Sequence, residues 1–327
     1  MISDEQNPPQ KASFDYRQAA RRLMSDHGTT IILLLMLVVM AFASPSFLKL
    51  SNLMNVVRQV SVIAIVGIGV TMIIITRGID LASGSVIAVV SVVSASLAHP
   101  EQSWPLIVPI TVGLAVGAFT GAISGSLVGL GKIPAFIATL GMMIAARGSA
   151  LIYSDGRPIS NFTSSFDFIG RGYLFGIPFP IFVLGATAIS IHVLLAHTRF
   201  GKHVYAIGGN EQAAIVSGIN VPKCLILVYT IAGALSGLAG ILLTSRVSVG
   251  QPTLGVGYEL DAIAAAVIGG ASLSGGIGRV YGTVVGALLI GVLNNGLDLL
   301  RVDPNWQQVV KGMLIVGAVL MDKRRHG

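Results

Sequence analysis

Residues 105–131 read Pro105-Leu-Ile-Val-Pro-Ile-Thr-Val-Gly113-Leu-Ala-Val-Gly117-Ala-Phe-Thr-Gly121-Ala-Ile-Ser-Gly125-Ser-Leu-Val-Gly129-Leu-Gly131, 27 residues without one charge. A helix of that length rises about 40 Å, more than the ~30 Å of a bilayer's hydrocarbon. Glycine recurs at 113, 117, 121, 125 and 129. Positions four apart share a helix face, so Gly113, Gly117, Gly121, Gly125 and Gly129 form one stripe along which a second backbone can approach closely. That stripe predicts tight helix packing and a central place for this span. The rest of the chain agrees in composition: 327 residues, 53% apolar, 11% charged, 40 glycines and a mean hydropathy of +0.81. Soluble domains carry about a quarter charged residues. A soluble enzyme, a disordered chain and a fibrous repeat are therefore excluded, leaving an integral membrane protein.

Ten uncharged apolar stretches are candidate spans: Thr29–Phe47, Val60–Thr76, Leu81–Ala98, Pro105–Gly131, Ile133–Tyr153, Ile177–Ala196, Cys224–Ser245, Ala262–Gly278, Val280–Leu297 and Trp306–Met321. The fold expected is all-α, a polytopic membrane helix bundle of about ten transmembrane helices. One transmembrane domain covers 29–321, between a segment 1–28 and a tail 322–327. Ala41-Phe42-Ala43 resembles a signal-peptidase site, but the long acidic flank before the first span is wrong for a leader, so that span is expected to stay. The 21 Lys and Arg exceed the 14 Asp and Glu. These basic residues flank apolar runs, which points to helix orientation rather than nucleic acid. With both termini cytoplasmic, thirteen fall inside, six outside and two (Arg147, Lys311) within spans, as the positive-inside rule requires. Segment 154–176 then lies outside and reads as loop, and 197–223 lies inside. Spans two to five and seven to ten share glycine spacing and a Thr-x-Arg or Thr-Arg ending. This suggests an inverted repeat, against the chance likeness of Gly-rich helices.

Chemistry-bearing clusters are scarce. No G-x-x-x-x-G-K-[ST] occurs, so no nucleotide-binding P-loop is expected. The six histidines show no metal-ligand spacing, and neither a metal nor a cofactor is expected. Cys224, the one cysteine, can form no disulfide within the chain and reads as a small packing residue. No acid–base or nucleophilic set supports a membrane-embedded enzyme. Asp80 beside Arg77 reads as an interfacial pair. No acid well inside a span is evident, which argues against an ion-coupled carrier and places the energy source elsewhere. In the inside segment, Glu211 to Ser217 fits a short helix with Asn210 as N-cap and Gly218 as its stop. By its own chemistry that helix is either a docking knob or an ordinary solvated loop.

Gly208-Gly209-Asn210-Glu211-x-Ala213-Ala214-x-x-Ser217-Gly218-Ile219 resembles the coupling loop of ribose-type permease subunits of bacterial ABC importers. Gly78-Ile79-Asp80-Leu81, the run Gly257-Tyr258-Glu259-Leu260-Asp261-Ala262-Ile263-Ala264-Ala265, Gly269-Gly270-x-Ser272-Leu273-x-Gly275-Gly276 and Asn294-Asn295-Gly296-Leu297 resemble the same family in the same order. Ala82-Ser83 departs from the family's Ser-Val. The resemblance implies an inner-membrane permease forming a path for a monosaccharide of the ribose, allose, xylose or galactose class, at the interface of a homodimer or of a pair with a close paralogue. A periplasmic sugar-binding protein would deliver the sugar. A separate ATP-binding subunit would dock on the loop, with Asn210, Glu211, Ala213, Ala214 and Gly218 carrying the coupling. Gln59, Ser85, Thr139, Asn294 and Asn295 are candidates for the path, or else buried groups satisfying neighbouring helices. The alternatives are a permease for branched-chain amino acids or nucleosides, and a stand-alone secondary carrier.

Overall fold

The computed structural model describes Tyr16–His326, and of residues 16–27, 318 and 321–326 only the helical path. Residues 1–15, the larger part of the expected segment 1–28, and Gly327 of the tail lie outside the described residues. The chain is helical almost throughout: α1 (Tyr16–Ala43), α2 (Leu50–Ile75), α3 (Ser83–Leu97), α4 (Ile107–Gly129), α5 (Ala135–Ser154), α6 (Ser164–Arg171), α7 (Phe179–His197), α8 (Arg199–Gly209), α9 (Glu211–Val216), α10 (Val221–Val247), α11 (Tyr258–Ile268), α12 (Val280–Leu299) and α13 (Pro304–His326). Among the described residues six of these, α2, α4, α5, α7, α10 and α12, are long and apolar enough to cross a membrane, and α3 and Gly28–Ala43 of α1 are shorter apolar helices. The architecture is a multi-pass helical bundle.

Its axis is α2, in which every residue from Val60 to Ile75 is buried. This helix touches α7, α10, α11 and α12, and its run of Val, Ile, Gly and Ala lets all four approach. The central place expected for the Pro105–Gly131 span is therefore corrected. Only one stripe of α4 is buried, Pro109, the five glycines and Ser124, while Phe119 and Ile123 on its other faces are exposed. A glycine stripe marks a single close contact and says nothing of what the remaining faces meet.

That contact is with α10, which brings Gly233 and Gly237 against the stripe. A Cβ on Gly117 would overlap the Gly233 carbonyl, one on Gly121 the Tyr229 carbonyl, and one on Gly129 would lie 2.9 Å from the Pro222 carbonyl. Two helices at this separation touch backbone to backbone, a dispersion contact that lipid tails do not match.

Two elements are too short to cross. α11 has 11 residues, about 16 Å of rise, and α3 has 15. The expected eighth span, Ala262–Gly278, is thus not one helix. It ends at Ile268, and Gly270, Gly275 and Gly276 take positive φ in the loop that follows, a conformation glycine enters without a Cβ penalty. Non-helical leaders precede both short helices. Residues 250–255 run back along α3, with Gln251 N donating to Ser91 Oγ (3.3 Å) and a Cβ on Gly255 meeting the Gly84 carbonyl at 2.5 Å. The N-termini of α3 and α11 consequently meet, Gly84 lying against the Glu259 carboxylate.

The end of the bundle away from α8 and α9 carries two small ladders. Strand β1 (Ile159–Ser160) pairs antiparallel with β4 (Val249–Gly250), and β2 (Tyr173–Leu174) with β3 (Ile177–Pro178). Segment 154–176, read as loop, contains the helix α6. Its Phe166, Ile169 and Gly170 are buried, and Ser245 Oγ of α10 donates to the Phe166 carbonyl and accepts from Gly170 N (both 2.6 Å). The Asp, Ser and Gly content hid an i, i+3, i+4 apolar face.

Gly121→Val should lower the melting temperature of the purified protein in detergent, because overpacking at a backbone contact costs about 1–3 kcal/mol. Gly185→Ala, where a Cβ meets nothing within 4 Å, should leave it unchanged or slightly raised.

Candidate functional site

Two arrangements carry polar chemistry. The first begins at Thr198, whose hydroxyl caps α8 by accepting from Gly201 N (3.2 Å). α8 ends at Gly209, and Asn210 in extended conformation (φ −156°, ψ 106°) starts α9. Asn210 Oδ1 accepts from Ala213 N (2.9 Å), and Glu211 sits in the first turn, where a carboxylate complements the helix dipole. Gly218 closes the helix with φ +82°. Of the residues singled out from sequence here, Ala214 is buried, while Asn210, Glu211, Ala213 and Gly218 are exposed. Sequence reasoning missed Ile215 and Val216, exposed at 49% and 88%. Two adjacent aliphatics in a six-residue capped helix were the available signal. The result is a protruding knob with an apolar tip and an acidic shoulder.

The Arg77–Asp80 pair is not formed. Arg77, at positive φ (65°), donates from Nε to the Gly208 carbonyl (2.8 Å) and from Nη2 to that of Gly209 (2.7 Å). Asp80 turns inward, buried at 6% exposure, and accepts from Ala82 N (2.8 Å). The guanidinium instead completes the free carbonyls at the C-terminus of α8, the end where the helix dipole favours a cation. From α8, Tyr205 Oη donates to the Gly278 carbonyl (2.8 Å). Burial, opposed by nearby Arg279, holds this phenol above its ordinary range, so it stays a protonated donor.

The second arrangement surrounds α11. Lys311 Nζ of α13 pairs with Asp261 Oδ2 at 3.1 Å, and Asn294 of α12 lies beside the same carboxylate. Arg147 of α5 donates to the carbonyls of Pro252 (2.5 Å) and Leu254 (3.0 Å). Glu259 Oε2 and Asn294 Oδ1 are buried without a hydrogen-bond partner among the described residues. No acid was expected well inside a span, and Asp80 and Asp261 lie just outside the expected spans, yet both are buried within the bundle. Scanning for continuous apolar runs overlooks polar segments that fold back between helices. Among the described residues no hydrogen bond joins any two of the five path candidates. Thr139 donates to the carbonyls of Ala135 (2.9 Å) and Ile79 (3.1 Å). Asn295 forms a reciprocal amide pair with Asn52 (2.8 and 2.9 Å). Ser85 is buried in the first turn of α3 and Gln59 is half-buried on α2.

A multi-pass bundle with broken helices, buried charges and a knob at one end is the build of a membrane permease rather than of an enzyme. Residues 52–319 match the family model described as the permease component of branched-chain amino acid transport systems, and the chain belongs to that family. It is 43% identical over 314 residues to the ribose import permease protein of Escherichia coli (strain K12), covering 95% of this chain and 97% of that protein. To its counterpart in Bacillus subtilis (strain 168) it is 45% identical over 305 residues, 93% of this chain and 94% of the other. To the galactose/methyl galactoside import permease protein of Salmonella typhimurium (strain LT2) it is 37% identical over 320 residues, 93% and 95%. No solved structure matches the chain.

Lys311→Met should destabilise the protein by about 3 kcal/mol, because it strands the Asp261 carboxylate in a water-poor site. The double variant with Asp261→Asn should recover much of that loss, both read as thermal midpoints in detergent.

Proposed function

We propose that this chain is the transmembrane permease subunit of a bacterial ABC importer for a monosaccharide of the ribose, allose, xylose or galactose class. Two copies, or one copy and a close paralogue, form the path at their shared interface. A periplasmic binding protein delivers the sugar, and a separate ATP-binding subunit supplies the energy. The observation that carries this reading is the α9 knob: a short helix capped by Asn210, with Ile215 and Val216 turned outward and Ala214 seated inward. Aliphatic tips exposed beside an acid suit an apolar cleft with a basic rim on a soluble partner. Relatives named for ribose and galactose import, at 37–45% identity over nearly the full chain, favour a sugar over an amino acid.

In this reading α8 and α9 face the cytoplasm of a cell with this chain in its inner membrane, and both termini lie on that side. Ten apolar helices then traverse or enter the bilayer. α3 and α11, each led by a non-helical segment and meeting at their N-termini, are the corresponding broken elements of an inverted repeat. Asn210, Glu211, Ala213, Ala214 and Gly218 shape the knob, while the glycines of α4 hold α10, the helix that follows it in the chain. Motion of the knob shifts the helices on either side and alternates access to the path. Gln59, Ser85, Thr139, Asn294 and Asn295 are the polar residues that border that path. Branched-chain amino acids are the second reading, favoured by the family's description.

Proteoliposomes holding the chain with its ATP-binding subunit and binding protein should accumulate labelled ribose or galactose, but not leucine, only when ATP is supplied. Accumulation by this chain alone on a proton or sodium gradient would overturn the reading. Glu211→Lys, Val216→Asp and Gly218→Val, the last forcing a β-branched residue to positive φ at a cost of about 1–3 kcal/mol, should each abolish co-purification of the ATP-binding subunit. Membrane insertion should remain at wild-type level.

A further inference from the structure

The knob is covalently continuous with only two long helices, α7 before it and α10 after it. α2, the buried axis, has no such connection, yet its end lies directly beneath α8. Gly208 is packed so closely that a Cβ there would overlap both the Ile75 carbonyl and Gly276 N. Gly276 N donates to the Ile75 carbonyl (2.9 Å), tying the loop after α11 to the end of α2. Arg77 then bonds the last two carbonyls of α8, and Tyr205 bonds the Gly278 carbonyl where that loop enters α12. Three pieces of backbone, from α2, α8 and the 269–279 loop, thus meet at one joint. Its tightness explains Gly208 and Gly275, since a Cβ on Gly275 would overlap the Arg77 side chain, while Gly276 is suited to its positive φ.

We propose that Arg77 and Tyr205 are positioning residues that rivet the coupling helices to α2 and to the 269–279 loop, so that movement of the knob reaches the buried axis and α11. This rests on the functional reading above and names the route by which force enters. Arg77 occupies a left-handed backbone conformation that glycine adopts freely, so its side chain can be removed without new strain. α11 bears Asp261, the partner of Lys311, and the loop leads into α12, which carries Asn294. The joint therefore links the knob to the charged cluster inside the bundle.

The test uses the full complex in proteoliposomes and reads ATP hydrolysed per sugar imported, together with stimulation of hydrolysis by sugar-loaded binding protein. Arg77→Gly and the double variant Arg77→Gly/Tyr205→Phe should co-purify the ATP-binding subunit at wild-type level. They should raise the ATP-per-sugar ratio about fivefold or more, within the usual range of coupling between sites. Arg77→Lys, a point charge unable to bond two carbonyls in a fork, should fall between. An unchanged ratio in the double variant overturns the joint's role, as does loss of co-purification, which would make these residues part of docking. Absence of ATP-driven uptake from the wild-type complex sinks the functional reading and the joint with it.

Discussion

Hydrocarbon offers a peptide group no hydrogen-bond partner, and this constraint decides where the chain is allowed to leave the helical conformation. Three non-helical segments enter the bundle, residues 76–82, 249–257 and 269–279, and each is satisfied by protein. Thr139 serves the Ile79 carbonyl, Arg147 those of Pro252 and Leu254, and Ile75 the Gly276 amide. Thr29 of α1 caps the last turn of α11 through the Ile268 carbonyl (2.8 Å). The charged and hydroxyl side chains among the apolar helices are therefore in large part backbone-completing groups. Their energetic weight is that of groups whose loss exposes an unpaired carbonyl to a dry environment.

The same solvent explains why small residues concentrate at the contacts. Between two helices in lipid, an aliphatic side chain gains little by leaving one apolar surface for another, whereas close approach gains dispersion contact along the whole length. α2 and α10 are built this way, and α12 repeats the device with Gly282 and Gly286 against the backbone of Gly269 and Ala265.

What the sequence discloses follows from this physics. Helix existence was legible for most spans, because length without charge is a strong signal, and the cap of α9 was legible because Asn210 acts within three residues. The interior was not. α2 and α7 are equally apolar, yet one is buried and the other largely faces outward, since lipid and protein make the same demand on a side chain. The break after Ile268 was hidden because Gly, Ala and Ile read alike in a helix and in a buried loop. The ion pair of Lys311 with Asp261 joins residues 50 apart, and Arg77 reaches a helix end 131 residues on. Neither partner can be read from neighbours. Of the candidate site, the knob's backbone is readable, while the exposure of Ile215 and Val216 is not, because an aliphatic pair in a short helix reads the same whether it faces the bundle or solvent.

The seam between α4 and α10 is smooth. Main chain lies on main chain at Gly117, Gly121 and Gly233, so the dispersion contact is spread along the seam and prising the two helices apart loses it over several turns. The pair thus behaves as a stiff plank. A rearrangement of the bundle that keeps this contact would carry both helices together, with bending left to the broken elements beside them.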